Sequence, residues 1–120
     1  MSGPLSGITI LDLTSVISGP LATAMLADQG ARVIKVESPS GDSMRMGGAL
    51  NRGVSSLFTA LNRTEASVAL NLQTEPGLSA IKTTAGSADI LNQNDRPGVM
   101  ERLGIGYSDL KAINPQLVYV

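Results

Sequence analysis

The residues that could do chemistry in this chain are carboxylates, hydroxyls, lysines and arginines, because neither histidine nor cysteine occurs among its 120 residues. The commonest general base and the commonest metal ligand are therefore missing. Disulfides, thiolate zinc sites and thiol nucleophiles are excluded for the same reason. The composition thus rules out a self-contained Ser-His-Asp or Cys-His mechanism, and we expect no metal site.

Two acidic residues stand at informative places. Asp12 falls inside an aliphatic run over residues 8–13. It could be catalytic, but a buried carboxylate that accepts hydrogen bonds from loop amides is the favoured interpretation. Glu37 closes a second run, at the place where a Rossmann-type protein often binds a ribose hydroxyl. A solvated residue at a strand end is the favoured alternative for Glu37.

Polar loops supply the remaining candidates. Residues 94–98 read Asn-Asp-Arg-Pro-Gly, which is either a ligand-binding loop or a turn with Asx capping. Residues 44–46 read Met-Arg-Met within a glycine-rich stretch over residues 38–53. These three side chains either form a flap that faces a substrate or are simply exposed in the loop, and exposure is the favoured interpretation.

A strand, a helix and a second strand fit into the first part of the chain. Residues 8–13 have the aliphatic composition of a buried strand, and residues 32–36 interleave apolar and charged side chains. Between them, Ser18 is the expected N-cap of a helix, with Pro20 in its first turn and Gly30 at its C′ position. The spacing is that of a βαβ unit, whose strands are parallel.

A βαβ unit places its first loop and the N-terminus of its helix at the carboxyl edge of the sheet, where an anion or a nucleotide is favoured. The loop over residues 14–20 contains one glycine. The G-x-G-x-x-G fingerprint and the P-loop are therefore both absent, which disfavours a nucleotide-cofactor oxidoreductase. The residues alone predict a nucleotide-like ligand at this edge and go no further.

The later part of the chain continues as alternating elements. The expected elements are a strand over residues 67–72, a helix capped by Thr74 and running to about residue 85, a strand over residues 89–92, a helix over residues 97–104, a helix capped by Ser108 over residues 109–113, and a strand over residues 117–120. Residues 38–53 are expected to form an irregular loop. Because the last strand runs into the end of the sequence, we expect a chain that is cut within a domain.

The composition limits the kinds of partner that the chain can bind. Apolar residues make up 42% of the chain, as in globular proteins. A net charge of −1, with cations scattered singly, offers no field for nucleic acid or for an anionic membrane surface. Neither a signal peptide nor an apolar run of about 18 residues is visible. We therefore expect a cytoplasmic protein that binds neither nucleic acid nor membrane.

A series of short segments follows one order along nearly the whole chain. They are PLSGI at 4–8, LDLT at 11–14, GP at 19–20, LADQGA at 26–31, VIKVE at 33–37, GD at 41–42, LNR at 61–63, SV at 67–68, LNL at 70–72, ADIL at 88–91, RPGVMERLG at 96–104 and NPQLVY at 114–119. Each segment alone is a weak signal, but the ordered series resembles the opening of the family III CoA-transferases. This group includes formyl-CoA and carnitine-type CoA-transferases and α-methylacyl-CoA racemases.

The resemblance implies that residues 1–120 are the N-terminal part of a Rossmann-like domain that binds coenzyme A or an acyl-CoA. Family members form interlocked homodimers. In the transferases, an aspartate attacks the acyl-CoA thioester, forms an anhydride with the acyl group and then a thioester with CoA. That aspartate lies beyond the residues of this chain. We therefore expect no catalytic residue here and no activity of the chain alone.

Carried over position by position, the resemblance implies eight contacts with CoA. They are Ile17, Ser18, Ser38, Leu72, Asn94, Asp95, Arg102 and Leu103. Several positions depart from the family's usual pattern. Ser38 stands where an arginine is frequent, and Asp95 stands where an aromatic residue is common. Residues 64–66 read Thr-Glu-Ala in place of a stretch with two cations, and Asn71 and Gln73 replace an aspartate and a lysine.

These departures leave two alternatives. Charge-assisted bonds to the phosphates of CoA are strong, so the loss of cations should weaken binding. The chain either holds CoA differently, through loop amides and Arg102, or is a non-catalytic module that folds or self-associates without binding CoA. The first alternative is slightly favoured.

Overall fold

Strands and helices alternate along residues 2–120, the part of the chain that the computed structural model describes. In chain order the elements are β1 (Thr9–Asp12), α1 (Ser18–Ala27), β2 (Arg32–Glu37), a 3₁₀-helix (Ser43–Met46), β3 (Leu50–Asn51), β4 (Val54–Ser55), α2 (Ser56–Leu61), β5 (Ala66–Ala69), α3 (Glu75–Ala85), β6 (Ile90–Asn92), α4 (Val99–Arg102), α5 (Tyr107–Ile113) and β7 (Val118–Tyr119). Five strands form one sheet in the order β5-β2-β1-β6-β7, and all neighbouring pairs are parallel. The predicted α/β class, a Rossmann-like parallel sheet flanked by helices, is confirmed.

The first βαβ unit has the predicted geometry. β1 and β2 are parallel neighbours, with Asp12 opposite Lys35. The turn after α1 is made by Gly30, whose φ of +101° is a left-handed conformation that side chains disfavour. The Ala31 amide bonds the Leu26 carbonyl at 3.2 Å across this turn, which is the closure expected for a glycine at C′.

The start of α1 differs from the prediction. Ile17 rather than Ser18 is the N-cap residue, and no side chain caps the helix. The Leu21 amide bonds the Ile17 carbonyl at 2.9 Å, so Ser18 already lies within the first turn. Pro20 also lies in that turn, as predicted, where its missing N–H leaves no helical bond unmade.

Both faces of the sheet are covered. Ile10 and Val33 pack with Ala27 of α1 on one face, whereas Leu11 packs with Ile81 of α3 on the other. Successive side chains of a strand point to opposite faces, so a strand buried on both sides carries adjacent apolar residues, as Ile10 and Leu11 of β1 do. This double burial sets the register of β1 and therefore the position of the loop that follows it.

The glycine-rich stretch over residues 38–53 is ordered, and the expectation of an irregular loop is wrong. The Asp42 side chain accepts a bond from the Met44 amide at 2.9 Å and caps the 3₁₀-helix. β3 and β4 form a hairpin through Arg52 and Gly53, which both have the positive φ that a type I′ turn requires. The hairpin was not predicted because Arg-Gly is not the Asn-Gly or Asp-Gly pair that signals such a turn.

β5 ends earlier than the predicted strand over residues 67–72. β5 ends at Ala69, because Asn71 begins a turn in which its side chain accepts a bond from the Gln73 amide at 3.0 Å. The predicted cap of the next helix is confirmed. The Thr74 hydroxyl accepts a bond from the Gly77 amide at 3.3 Å, which satisfies one of the free amides at the start of α3.

The last helix begins earlier than predicted. Gly106, and not Ser108, is the N-cap residue of α5. The Asp109 side chain accepts a bond from the Gly106 amide at 3.0 Å, so the first turn is held by an acidic residue inside the helix. No helix within residues 2–120 is long and apolar enough to cross a membrane.

The strand order creates a crevice between β1 and β6. The chain builds the sheet outward from β1 through β2 to β5, and it then returns to the other side of β1 to form β6. The loops after β1 and β6 therefore leave adjacent strands at the carboxyl edge of the sheet. Open α/β sheets bind ligands at such a switch point, so the candidate site is expected at this edge.

Candidate functional site

A groove of about 340 Å³ lies at the carboxyl edge of the sheet. Pockets for small ligands have volumes of roughly 300–1,000 Å³. Four of the eight predicted contact residues line the groove, namely Ser38, Leu72, Asp95 and Leu103. The complete lining consists of Leu13, Val36, Ser38, Pro39, Leu70, Asn71, Leu72, Gln73, Asp95, Val99 and Leu103. The groove therefore combines aliphatic walls with a few polar side chains.

Asn94 joins the loops after β1 and β6, which contribute Leu13 and Asp95 to the groove lining. Its side-chain oxygen accepts a bond from the Ser15 amide at 3.1 Å, and its side-chain nitrogen donates to the Ser15 carbonyl at 2.9 Å. The loops after β1 and β6 thus lie at the same end of the sheet and touch each other. Both polar atoms of the Asn94 side chain are used in this bridge, whereas the neighbouring Asp95 lines the groove.

The other three predicted contacts lie outside the groove lining. Ile17 and Ser18 are exposed at the start of α1. Arg102 is exposed on α4, and its Nη1 lies so close to Gly98 that a Cβ atom there would come within 2.9 Å. The structure therefore gathers four predicted residues around the groove, adds Asn94 as a bridge, and leaves these three at its periphery.

A buried lysine, which the sequence analysis did not single out, holds the loop after β1 to the glycine-rich stretch. The Lys35 ammonium donates to the Thr14 carbonyl at 2.9 Å, and it lies 3.2 Å from Asp42 and 3.8 Å from Asp12. The three charged side chains are each at most 1% exposed. A signal for this contact was present in the sequence. Asp12 and Lys35 carry opposite charges on two strands that were predicted to be neighbours, and they are cross-strand partners in the sheet.

Asp12 is the buried carboxylate that the sequence favoured. It accepts bonds from the Thr14 amide at 3.0 Å and from the Thr14 hydroxyl at 2.6 Å, and the Thr23 hydroxyl lies at 3.3 Å. Burial raises the pKa of Asp12, against the lowering effect of the Thr14 bonds and of the nearby Lys35. These partners make Asp12 an organiser of the first loop.

Glu37 is buried, so its favoured interpretation as a solvated residue is wrong. Arg45 donates to both of its oxygens, from Nε at 2.7 Å and from Nη2 at 2.5 Å. The Asp42 amide donates at 2.8 Å, and the Ser67 hydroxyl donates as well. Chiefly because of the Arg45 bonds, the pKa of Glu37 falls to about 2. Its four donors leave this carboxylate no capacity for a ribose hydroxyl.

The groove itself carries little positive charge. Within the described residues 2–120, no cationic side chain lines it, and Asp95 contributes a negative charge. Leu13 and Leu103 offer apolar surface, and Asn71 and Gln73 offer amide groups. The arrangement suits an amphipathic ligand whose bulk lies on aliphatic side chains and whose polar groups reach the rim.

The sequence matches the family model described as CoA-transferase family III over residues 5–120. The chain belongs to this family. The resemblance inferred from the ordered motifs is thereby confirmed, because the match includes every motif from the loop before β1 to β7.

Relatives in this family are similar along almost the whole chain. The acetyl-CoA:oxalate CoA-transferase of Acetobacter aceti is 43% identical over 118 residues, which cover 98% of this chain and 30% of that protein. The succinyl-CoA:glutarate CoA-transferase of Homo sapiens is 42% identical over 97% of this chain and 27% of that protein. The crystal structure of a CAIB/BAIF family protein from Brucella suis superimposes with a TM-score of 0.93 at 36% identity, covering 99% of this chain and 33% of that chain. The chain thus spans about 30% of the length of the curated family members.

Proposed function

We propose that this chain is the coenzyme A-binding portion of an acyl-CoA:carboxylate CoA-transferase. The observation that carries the proposal is the groove at the switch point, whose loops are joined by Asn94 and whose lining includes four contact positions expected for the family. The names of the relatives, which are CoA-transferases acting on oxalate and glutarate, support the same ligand. Ile17, Ser18 and Arg102 are proposed as peripheral contacts.

The described residues of this chain favour binding over turnover. A CoA-transferase needs a carboxylate that can attack a thioester. Asp12 is completely buried against Thr14, and Glu37 is held by Arg45 and two further donors. Neither carboxylate is free to act as a nucleophile. We therefore propose that residues 2–120 bind and orient the carrier, and that they do not supply the group that reacts.

The proposal is tested by titrating the purified 120-residue chain with CoA in a calorimeter and by following its amide spectrum. We expect saturable binding, with the largest shifts at Asn94, Asp95 and Leu103 around the groove. A flat titration of a folded chain would contradict the proposal and would favour the non-catalytic module. An acyl-transfer assay on the same chain should show no turnover, because the resemblance implies that the attacking aspartate of the family lies outside these residues.

A matched pair of variants locates the ligand. Leu103→Glu places a negative charge in the groove lining, where it should repel the phosphates of CoA and weaken binding by about tenfold or more. Ile113→Glu makes the same change at an exposed apolar position of α5 outside the lining and should leave binding unchanged. Equal loss in both variants would place the ligand elsewhere.

Two further parts of the proposal rest on the sequence patterns and on the family resemblance. We propose that the chain acts in the cytoplasm and that it functions within a homodimer. Light scattering of the purified chain over a range of concentrations tests the second part. A mass that stays at one chain, about 12.4 kDa, at every concentration would contradict a dimer formed by these residues.

A further inference from the structure

We propose that Arg45 recognises a phosphate monoester of the ligand, the 3′-phosphate of coenzyme A, in a depression beside the groove. The inference rests on the proposed function and deepens it. Arg45 was considered in the sequence only as part of a loop or flap. Its guanidinium, which is fixed beside a cavity that adjoins the groove, gives it this role.

The depression continues the groove. It has a volume of about 430 Å³ and is lined by Glu37, Ser38, Pro39, Ser40, Gly41, Arg45, Ser67 and Ala69. Ser38 and Pro39 also line the groove, so the two cavities meet at these residues. A ligand that lies in the groove can therefore extend one of its substituents across Ser38 into the depression.

Arg45 is held in one orientation. Its Nε and Nη2 donate to the two oxygens of Glu37, and the centre of its guanidinium lies 4.2 Å from the centre of the Phe58 ring. A planar guanidinium fixed by a bidentate pair and an aromatic face loses little freedom when it binds an anion. Nη1 makes no hydrogen bond with any residue in the range 2–120, and the side chain is 44% exposed.

The Glu37 carboxylate does not fully neutralise the positive charge of Arg45. The Glu37 carboxylate also accepts bonds from the Asp42 amide and the Ser67 hydroxyl, so its negative charge is shared among four donors. Asp42, the nearest other acid, is paired with buried Lys35 at 3.2 Å. The outer N–H groups of Arg45 can therefore attract a phosphate dianion by charge-assisted bonds.

Two serines supply neutral donors beside Arg45. The hydroxyls of Ser38 and Ser40 lie 2.9 Å apart and bond each other. One of the two protons is used in that bond, so the other remains for an incoming oxygen. Among the described residues that line the groove and the depression, Arg45 is the single cation. The phosphate with the highest charge on CoA is therefore expected there.

The experiment compares the affinities of CoA and 3′-dephospho-CoA, which differ by the phosphate monoester alone. The chain should prefer CoA by about tenfold, the effect of one charge-assisted contact. Arg45→Gln should abolish this preference while leaving the affinity for 3′-dephospho-CoA within about twofold of that of the parent chain. Arg45→Lys keeps a cation beside Glu37 but loses the fork, so it should retain part of the preference.

Arg52→Gln is the matched control, because Arg52 is an exposed arginine of the same stretch that lines neither cavity. It should retain the full preference for CoA.

An unchanged preference in Arg45→Lys and in a folded Arg45→Gln would overturn the inference, as would equal affinities of the parent chain for the two ligands. Failure of the parent chain to bind either ligand would instead overturn the proposed function. If Arg45→Gln does not fold, Arg45→Lys decides, and a full preference in that variant counts against the inference.

Discussion

Two glutamates near the ends of neighbouring strands of the same sheet have opposite acid–base properties. Glu37 ends β2, and Glu65 directly precedes β5, which pairs with β2. The pKa of Glu37 is lowered to about 2, whereas burial raises the pKa of Glu65 to about 7. Both carboxylates are withdrawn from solvent, yet their pKa values move in opposite directions. Burial alone therefore does not decide which carboxylate is charged.

The difference lies in the number of donors around each carboxylate. Glu37 has four, two of them from a guanidinium. Glu65 has one protein partner, the Thr23 hydroxyl at 3.0 Å, and its Oε2 is buried with no partner among residues 2–120. An ionised carboxylate needs several donors to replace the water that it loses. The clamp around Glu37 supplies them, and the environment of Glu65 does not.

The Thr23 hydroxyl gives the ionised form of Glu65 only limited support. It lies 3.0 Å from Glu65 and 3.3 Å from Asp12, and it has a single proton. It cannot donate to both carboxylates at once. A protonated Glu65 can instead donate to the Thr23 oxygen, which leaves the Thr23 proton free for another acceptor. Asp12 already has the Thr14 bonds and Lys35 nearby, so Glu65 is the carboxylate that holds the extra proton.

The largest expected effect is that of Glu37→Gln. A pKa of about 2 against an ordinary 4.5 stabilises the fold above pH 4.5, and this stabilisation is lost as the pH falls toward 2. The variant should be less stable by on the order of 3 kcal/mol at pH 7.5. Urea denaturation at several pH values measures this difference, which should shrink in acid. A pH-independent difference would show that packing, and not charge, explains the loss.

Glu65→Gln should have the opposite sign and a smaller size. A raised pKa means that the folded chain loses stability as the pH rises from 4.5 through 7, where Glu65 must ionise. Because Glu65 is only half-buried, the variant should gain about 2 kcal/mol at pH 8 and nothing below pH 4.5. Thermal denaturation at pH 5 and pH 8 checks this. Glu75→Gln, exposed in the first turn of α3, is the control and should give no such gain.

Thr23→Val tests the link between Glu65 and Asp12. The variant keeps the shape of the side chain but removes the hydroxyl, so it should cost about 1 kcal/mol. Because the Thr23 bond lowers the pKa of Glu65, its removal should raise that pKa above 7. Carboxyl carbon chemical shifts followed with pH measure this change. Thr84→Val in α3, whose hydroxyl bonds only the Ala80 carbonyl, should leave the Glu65 titration where it was.

Ser67→Ala should have the smallest effect. It removes one of the four donors to Glu37 and leaves the Arg45 pair intact, so we expect a loss of about 0.5–1 kcal/mol. The pKa of Glu37 should rise, because the Ser67 bond lowers it. Ser87→Ala, which removes an exposed hydroxyl bonded to a helix carbonyl, is the comparison. A loss as large as that of Glu37→Gln would mean that Ser67 and not Arg45 holds the carboxylate.

Much of the architecture was predictable because local signals and the tertiary fold agreed. The aliphatic runs of β1 and β2, the turn at Gly30 and the cap at Thr74 follow from side-chain chemistry within a few residues. The caps at Ser18 and Ser108 were wrong, because a hydroxyl near a helix start is only one way to satisfy its first amides. In α5, Asp109 satisfies the Gly106 amide from inside the helix.

The site was predicted in part. The resemblance predicted that four residues distant in the sequence contact the same ligand, namely Ser38, Leu72, Asp95 and Leu103. In the structure all four line one groove at the edge of the parallel sheet. The clamp of Arg45 on Glu37 was missed. Glu37 and Arg45 are eight residues apart, and a turn lies between them. Neither the period of a helix nor that of a strand therefore predicts that these two side chains meet.

The structural class of this protein follows from its local sequence patterns. Apolar runs, turn residues and ordered family motifs are written in the order of the residues, and they specify a parallel α/β sheet of CoA-transferase family III. The tertiary structure decided the charge state of its acids and the shape of the groove. A pKa and a cavity depend on which donors and walls come within a few ångströms, and those neighbours come from strands and loops that are distant along the chain.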